Sequence, residues 1–398
     1  MLWDVFCRVI DNFGDIGVCW RLAADLAARG HRVRLWVDDA SALAWMAPEV
    51  RWSGDVREGT EGVGHPGITV HPWGAAENPH PVPEPGDVVI EAFGCDPPAA
   101  FLSRMNRPHP PAWVNLEYLS AEDYVERSHG LQSPVFSGPA AGLRKHFFYP
   151  GFTPRTGGLL RETKLQARQA AFTEEARLAW LHQQGVPATP ACRLVSVFCY
   201  ATAPLGRWLD ALADEALDQA STTRILLTPG HASQLAQAWQ ASTSVARRQA
   251  LVCHALPALP QPEFDALLWS CHLNIVRGED SAVRALWAAR PHIWHIYPQE
   301  DGVHADKLEA FLDRWLSETP ASLASAVRAA SRHFNRLPVL RGSDADAPLA
   351  APPPLPDWRS ADSPWHRASV AASQRLQAQT DLVTQLQAFV APFVTSSG

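Results

Sequence analysis

At 398 residues the chain is long for one hydrophobic core, and domains of roughly 100 to 200 residues predict two. Charged residues make up 19% and hydrophobic residues 46%, a balance that excludes a disordered chain and fits a folded, enzyme-sized body. A formal net charge of -7 excludes a broad surface for nucleic acid or anionic membrane, so neither is an expected partner.

The start, Met-Leu-Trp-Asp-Val-Phe-Cys-Arg, lacks the charged-then-apolar plan of a signal peptide, and no run of about 18 apolar residues occurs. Seven scattered cysteines without a C-x-x-C pair point to buried thiols in a reducing compartment. A cytoplasmic location is the expectation.

Residues 5–10, Val-Phe-Cys-Arg-Val-Ile, read as a strand. Apolar spacing predicts a helix over 18–29, closed by Gly30, and residues 31–37 read as the next strand. Strand, helix and strand form a βαβ unit, which demands parallel pairing and a right-handed crossover. Strands at 88–92 and 113–116 complete a first Rossmann-like domain over 1–158. A charged helical stretch, 162–184, runs into Gly-Val-Pro-Ala-Thr-Pro, whose prolines break it, and the interdomain connection is placed there. The alternation restarts with strands at 194–200, 224–227 and 251–254, a helix at 263–271 and a strand at 273–276. A helix at 281–289, a strand at 292–296 and a helix at 305–316 follow, within a second Rossmann-like domain over 190–360. Residues 342–356 are rich in Pro, Ala and Asp and read as a loop. A long amphipathic helix is predicted over about 364–390, and by architectural analogy it packs back on the first domain.

The first strand leads into Asp11-Asn12-Phe13-Gly14-Asp15-Ile16-Gly17, where open α/β sheets bind ligands. The sequence is not G-x-G-x-x-G, and its two aspartates would repel a dinucleotide pyrophosphate. Asp15 can cap the following helix, or it can react; its pairing with Asp11 favours the second reading. In the second half, Arg277-Gly278-Glu279-Asp280-Ser281 joins a strand to a helix. A guanidinium, a flexible glycine, a hydroxyl and helix N–H groups together suit a diphosphate. Glu279 and Asp280 can equally be dipole partners of that helix, and beside a phosphate at least one of them must point away.

Phe198 and Tyr200 share a face of their strand, since side chains alternate, and both can meet a base or a phosphate. Core packing explains Phe198 equally well. Leu259-Pro260-Gln261 offers an amide and backbone groups to a base edge, or is a plain turn. The histidines form no H-E-x-x-H set and no Asp-x-Asp ends a strand, so no metal is expected.

Four segments carry a resemblance: the stretch Asp-Asn-Phe-Gly-Asp-Ile-Gly-Val-Cys-Trp-Arg-Leu from Asp11; Tyr-Pro-Gly-Phe-Thr-Pro-Arg-Thr-Gly-Gly-Leu-Leu-Arg-Glu from Tyr149; Arg-Gly-Glu-Asp-Ser from Arg277; and His-Ile-Tyr-Pro-Gln-Glu from His295. Together they resemble the bacterial protein-arginine rhamnosyltransferases, the EarP family, over roughly residues 1–316. The resemblance implies a GT-B glycosyltransferase, with the donor in a cleft between two Rossmann-like domains. It also implies inverting transfer of L-rhamnose from dTDP-β-L-rhamnose to an arginine of translation elongation factor P. The nucleotide sugar is then a substrate, and no cofactor is implied.

Carried over by motif, the general base falls on Asp15, a second essential acid on Glu279 and a supporting aspartate on Asp11. Donor contacts fall on Asn12, Phe13, Gly14, Tyr200, Gln261 and residues 277–281, with Phe198, Phe264 and Tyr297 as aromatic neighbours. Ala258 departs from the pattern, which leads one to expect an aromatic beside the thymine; Phe264 is the ring that can replace it. Three rivals differ in what they need. A nicotinamide dehydrogenase wants G-x-G-x-x-G, a noncatalytic nucleotide-sugar-binding protein has no need of Asp15, and another GT-B transferase would serve a different acceptor.

Overall fold

The computed structural model describes residues 1–11, 13–54, 60–77, 83–299, 301–338 and 349–395. The chain forms two compact units, Met1–Leu165 with Gln377–Gly398, and Gln166–Leu376.

Unit 1 is built on strands β1 (Leu2–Cys7), β2 (Arg32–Val37), β3 (Arg51–Trp52), β4 (Gly62–Val63), β5 (Ile68–Pro72), β6 (Val88–Ala92), β7 (Ala112–Leu116), β8 (Gln132–Pro134) and β9 (Arg144–Phe148). They form one sheet in the order β3-β4-β5-β2-β1-β6-β7-β9-β8. The strands from β5 to β9 along this order pair in parallel, while β3, β4 and β8 are antiparallel additions at the two edges. Counted along the chain, the parallel strands stand in the Rossmann order 3-2-1-4-5-6, whose switch point lies between β1 and β6. Strands covered on both faces are buried throughout, as β6 and β7 are, and the two polar residues among them are partnered: Glu91 accepts from Lys145 and Trp113, and Asn115 accepts from the Gly94 N–H. Asp4, fully buried in β1, is tolerated because Arg34 donates twice to its carboxylate at 2.6 and 2.7 Å, and Trp36 Nε1 and the Gly86 N–H also donate.

The helix Leu382–Thr395 returns to this unit. Its Leu382, Val383, Leu386 and Val390 join a core that contains Trp3, Val5 and Leu26. Arg29 pins its start, donating to Asp381 at 2.7 Å and to Thr384 Oγ1 at 2.6 Å.

Unit 2 carries β10 (Arg193–Val197), β11 (Thr223–Leu227), β12 (Leu251–Ala255), β13 (Leu273–Arg277) and β14 (His292–His295). All pair in parallel in the order β12-β11-β10-β13-β14, which is 3-2-1-4-5, so the switch point lies between β10 and β13. The helix Gly278–Ala288 is locked to the helix Gln261–Ser270 by Arg284, whose Nε and Nη2 donate to Asp265 at 2.7 and 2.8 Å with both side chains 1% exposed.

Several elements differ from their sequence outlines. β1 ends at Cys7 and not at Ile10, because the Val9 and Ile10 N–H groups donate to Asp38 and Asp15 carboxylates in place of a ladder. The first helix starts at Gly14, four residues early, with its turn closed by Gly17 N–H on Phe13 O. β10 ends at Val197, although Phe198 N–H still reaches Ile275 O. The stretch 162–184 is two helices, Leu165–Ala171 and Glu174–Gln183, the second capped by Thr173. The predicted terminal helix is also two, Pro364–Gln377 and Leu382–Thr395, because Asp381 caps a new start at the Thr384 N–H. Of the predicted loop 342–356, residues 342–348 lie outside the described residues, and 349–356 form no helix or strand.

Candidate functional site

At the switch point of unit 2, Arg277 closes β13 and the helix starting at Gly278 follows without a residue between. That abrupt junction needs φ +68° at residue 278, which glycine adopts without a Cβ penalty. Arg277 is 6% exposed, and its guanidinium carbon lies 4.4 Å from the centre of the Phe198 ring and 4.7 Å from that of Tyr200. The two rings predicted to share a face therefore share one cation, which they hold by their π faces. Nη1 reaches the Cys199 carbonyl at 3.4 Å. Burial pushes the Cys199 thiol up to about 12 even with Arg277 beside it.

Tyr200 is ordered from two further sides. Its N–H donates to His295 Nδ1 at 3.2 Å, and the rings of His295 and Tyr297 stand edge-on to it at 5.3 and 5.4 Å. Burial, followed by Arg277 and His304, lowers His295 to about 3, so its ring is neutral and Nδ1 can accept. Tyr297 is 46% exposed. Phe264 stands edge-on to Phe198 at 5.9 Å, one turn into the helix that Gln261 begins. Leu259 and Gln261 are buried, Pro260 is half-buried at the head of that helix, and Ala258 is exposed.

The carboxylate that must turn from a phosphate has a partner: Glu279 accepts from Lys307 Nζ at 2.6 Å. Asp280 is half-buried and Ser281 is buried in the same first turn. An arginine, an N-terminal helix turn and a hydroxyl on one strand exit can bind a diphosphate, and the flanking rings can hold a base or sugar.

At the switch point of unit 1, residues 8–11 leave β1 without forming a strand or helix, and Phe13 precedes the helix. Asp15 is 3% exposed, and its Oδ2 accepts from the N–H groups of Ile10 and Asp11 at 2.8 and 2.9 Å. It lies inside the first helical turn and draws the loop over it, so the simple capping role does not describe it. Gly14 makes room for Asp11, since a Cβ there would meet Asp11 Oδ2 at 2.6 Å. Phe13 packs edge-on against Trp45 at 5.3 Å. Asn12 lies outside the described residues. A carboxylate on this loop and another in the first turn of the helix that follows can hold a cationic group and accept a proton from it.

Of the groups that shape these sites, sequence reasoning left out Lys307, Asn335 and the ring of His295, which appeared only inside a motif. Asn335 holds the exit of β14 by accepting from Ile296 N–H and donating to Trp294 O. No short-range spacing marks such partners, because each comes from a different element.

A family model described as elongation factor P (EF-P) rhamnosyltransferase EarP matches residues 3–391. A protein-arginine rhamnosyltransferase of Pseudomonas putida is 44% identical over 399 residues, covering 97% of this chain and 98% of that one. Its counterpart in Pseudomonas aeruginosa is 41% identical over 377 residues, covering 91% and 93%. A solved structure that describes EarP-mediated arginine glycosylation of translation elongation factor EF-P is 31% identical, covers 98% of both chains and superposes with a TM-score of 0.61.

Proposed function

Because the chain belongs to the EarP family of elongation factor P rhamnosyltransferases, we propose that it transfers L-rhamnose from dTDP-β-L-rhamnose to one arginine of translation elongation factor P, with inversion at the anomeric carbon. Its two Rossmann-like units are the GT-B glycosyltransferase fold. The observation that carries the donor half of this reading is the buried Arg277, clamped by Phe198 and Tyr200 at the start of a helix.

An arginine guanidinium has a pKa above 12 and is a delocalised nucleophile, while an ordinary aspartate sits near 3.9, so prior deprotonation is not the route. Asp15, supported by Asp11, instead hydrogen-bonds the guanidinium and orients one nitrogen. As that nitrogen forms a bond to the anomeric carbon, the bond from that carbon to the diphosphate oxygen breaks and its electron pair leaves with dTDP. The proton displaced from nitrogen passes to the Asp15 carboxylate. Arg277, the N–H groups of the helix Gly278–Ala288 and Ser281 stabilise the charge growing on the leaving group, the role a metal plays elsewhere. Glu279 is the second acid of the site, and its ion pair with Lys307 supports a place facing donor hydroxyls more than phosphate. The enzyme works in the cytoplasm without a metal; among the described residues no helix is long and apolar enough to cross a membrane.

A thermal-shift screen of nucleotide sugars tests the donor, because a ligand raises the melting temperature with its occupancy and affinity. dTDP-L-rhamnose should stabilise most, and NMR of the product should show an α linkage. Stronger stabilisation by a UDP- or GDP-sugar, or a retained β linkage, would contradict the donor or the stereochemistry. Transfer should also survive EDTA; loss reversed by Mg²⁺ would reject the metal-free step.

A further inference from the structure

We propose that the exits of β6 and β7 in unit 1 form a guanidinium-binding site, in which the stacked rings of Phe93 and Tyr118 and the carboxylate of Glu117 receive the acceptor arginine. The inference rests on the arginine-acceptor reading above and names the groups that would recognise that side chain.

The backbone at this edge is unusual. Directly after β6, Phe93, Gly94 and Asp96 have φ of 59°, 67° and 44°. A bulky residue in the left-handed region is a true outlier, and such conformations gather at functional sites. The turn is anchored by Phe93 N–H on Leu116 O at 2.7 Å. The Phe93 ring lies parallel to Tyr118, with centroids 4.3 Å apart and planes 13° off parallel. Phe93 is half-buried against the core of unit 1, whereas Tyr118 is 37% exposed, so the pair is an aromatic plate anchored in the core and accessible at Tyr118.

A carboxylate is fixed beside the plate. Gly94 N–H donates to Asn115 Oδ1 at 3.0 Å, and Asn115 Nδ2 donates to Glu117 Oε1 at 2.8 Å. Asn115 is 3% exposed, so a buried amide ties the strained turn of β6 to the acid that follows β7. Glu117 N–H bonds Phe148 O at the end of β9, which sets the backbone as well. Tyr149, raised to about 12 by burial and by Glu117, places a further phenol near that carboxylate.

A guanidinium is a planar cation that stacks on an aromatic face and offers paired N–H donors to a carboxylate, whereas a lysine ammonium matches neither feature as well. β6 neighbours both β1 and β7, and two strand spacings amount to about 10 Å. The plate and Glu117 therefore share one end of one sheet with the loop that carries Asp11 and the helix start that carries Asp15. Glu117 and Tyr118 hold the arginine and take no proton from it.

The test compares Tyr118→Ala, Tyr118→Phe and Glu117→Gln with wild type in the full chain, reading KM for elongation factor P, kcat, dTDP affinity and acceptor binding by calorimetry with dTDP present. Tyr118→Ala and Glu117→Gln should raise acceptor KM and weaken acceptor binding about tenfold or more, with dTDP affinity unchanged. Tyr118→Phe should keep the wild-type KM. If wild type modifies the acceptor and both disruptive variants keep its KM, the site is overturned while the function stands. If wild type neither binds nor modifies an arginine acceptor, the function fails and the site falls with it.

Discussion

An arginine held against two aromatic rings is fixed in position, which suits a group that must meet a phosphate repeatedly in one geometry. Arg277 is such a residue, and Arg277→Ala should weaken dTDP binding by about 1.5 to 3 kcal/mol, roughly 10- to 150-fold, by calorimetry. An unchanged dissociation constant would remove it from the donor site. The proposed mechanism gives Asp15 the proton transfer instead, and Asp15→Asn keeps an oxygen able to accept from the Ile10 and Asp11 N–H groups. Transfer should then vanish while donor affinity stays; lost donor affinity with near wild-type turnover would reverse the assignment. The residue types at both strand exits were readable, because an Arg-Gly before a helix and paired aspartates after a strand each have a physical use. What was hidden is which distant side chain completes each one. Lys307 meets Glu279 from a helix 28 positions on, and His295 meets Tyr200 from a strand 95 positions away.

At the scale of elements, the alternation of strands and helices was legible wherever a strand was mostly apolar, as at 88–92, 113–116 and 273–276, each with a single polar residue. β5, Ile-Thr-Val-His-Pro, and β9, Arg-Lys-His-Phe-Phe, mix polar residues into edge-side positions and so escaped that reading. The helix Leu205–Asp218 escaped it too, although Leu205, Trp208, Leu209 and Leu212 form a buried stripe. The ends of β13 and β14 have a consequence for stability. His272, His292 and His295 are lowered to about 3, 4 and 3, chiefly by burial, against about 6.5 in an unfolded chain. They are neutral in the fold, so above pH 6.5 they cost nothing. As pH falls below about 6.5 the unfolded chain takes up protons that the fold refuses, and stability drops until pH reaches the folded values. Each contributes up to about 1.4 kcal/mol per pH unit in that window. His295→Asn offers Tyr200 N–H an acceptor without the titration and should flatten the decline between about pH 6 and 4 by up to one proton's share. An unaltered slope in chemical denaturation would show that His295 titrates in the folded state.

For the whole molecule, the chain passes from unit 1 to unit 2 at Leu165 and returns at Gln377, so the helix Leu382–Thr395 ends in the unit where the chain began. The repeat of one sheet order in both units was legible as alternation, but the break at 378–381 was not, because its cause is a single cap by Asp381. The proposed division gives the nucleotide sugar to unit 2 and the arginine to unit 1. Singling out one weak nucleophile calls for binding energy from surfaces remote from the reacting atoms, which a folded acceptor supplies and a peptide does not. The most direct measurement incubates the full chain and dTDP-β-L-rhamnose with elongation factor P, with the same protein carrying lysine for its modified arginine, or with a peptide spanning that arginine, and follows intact mass. One deoxyhexosyl group should appear on the native protein, far more slowly on the peptide and not at all on the lysine form; no gain on the native protein, or gain on the lysine form, would contradict arginine rhamnosylation.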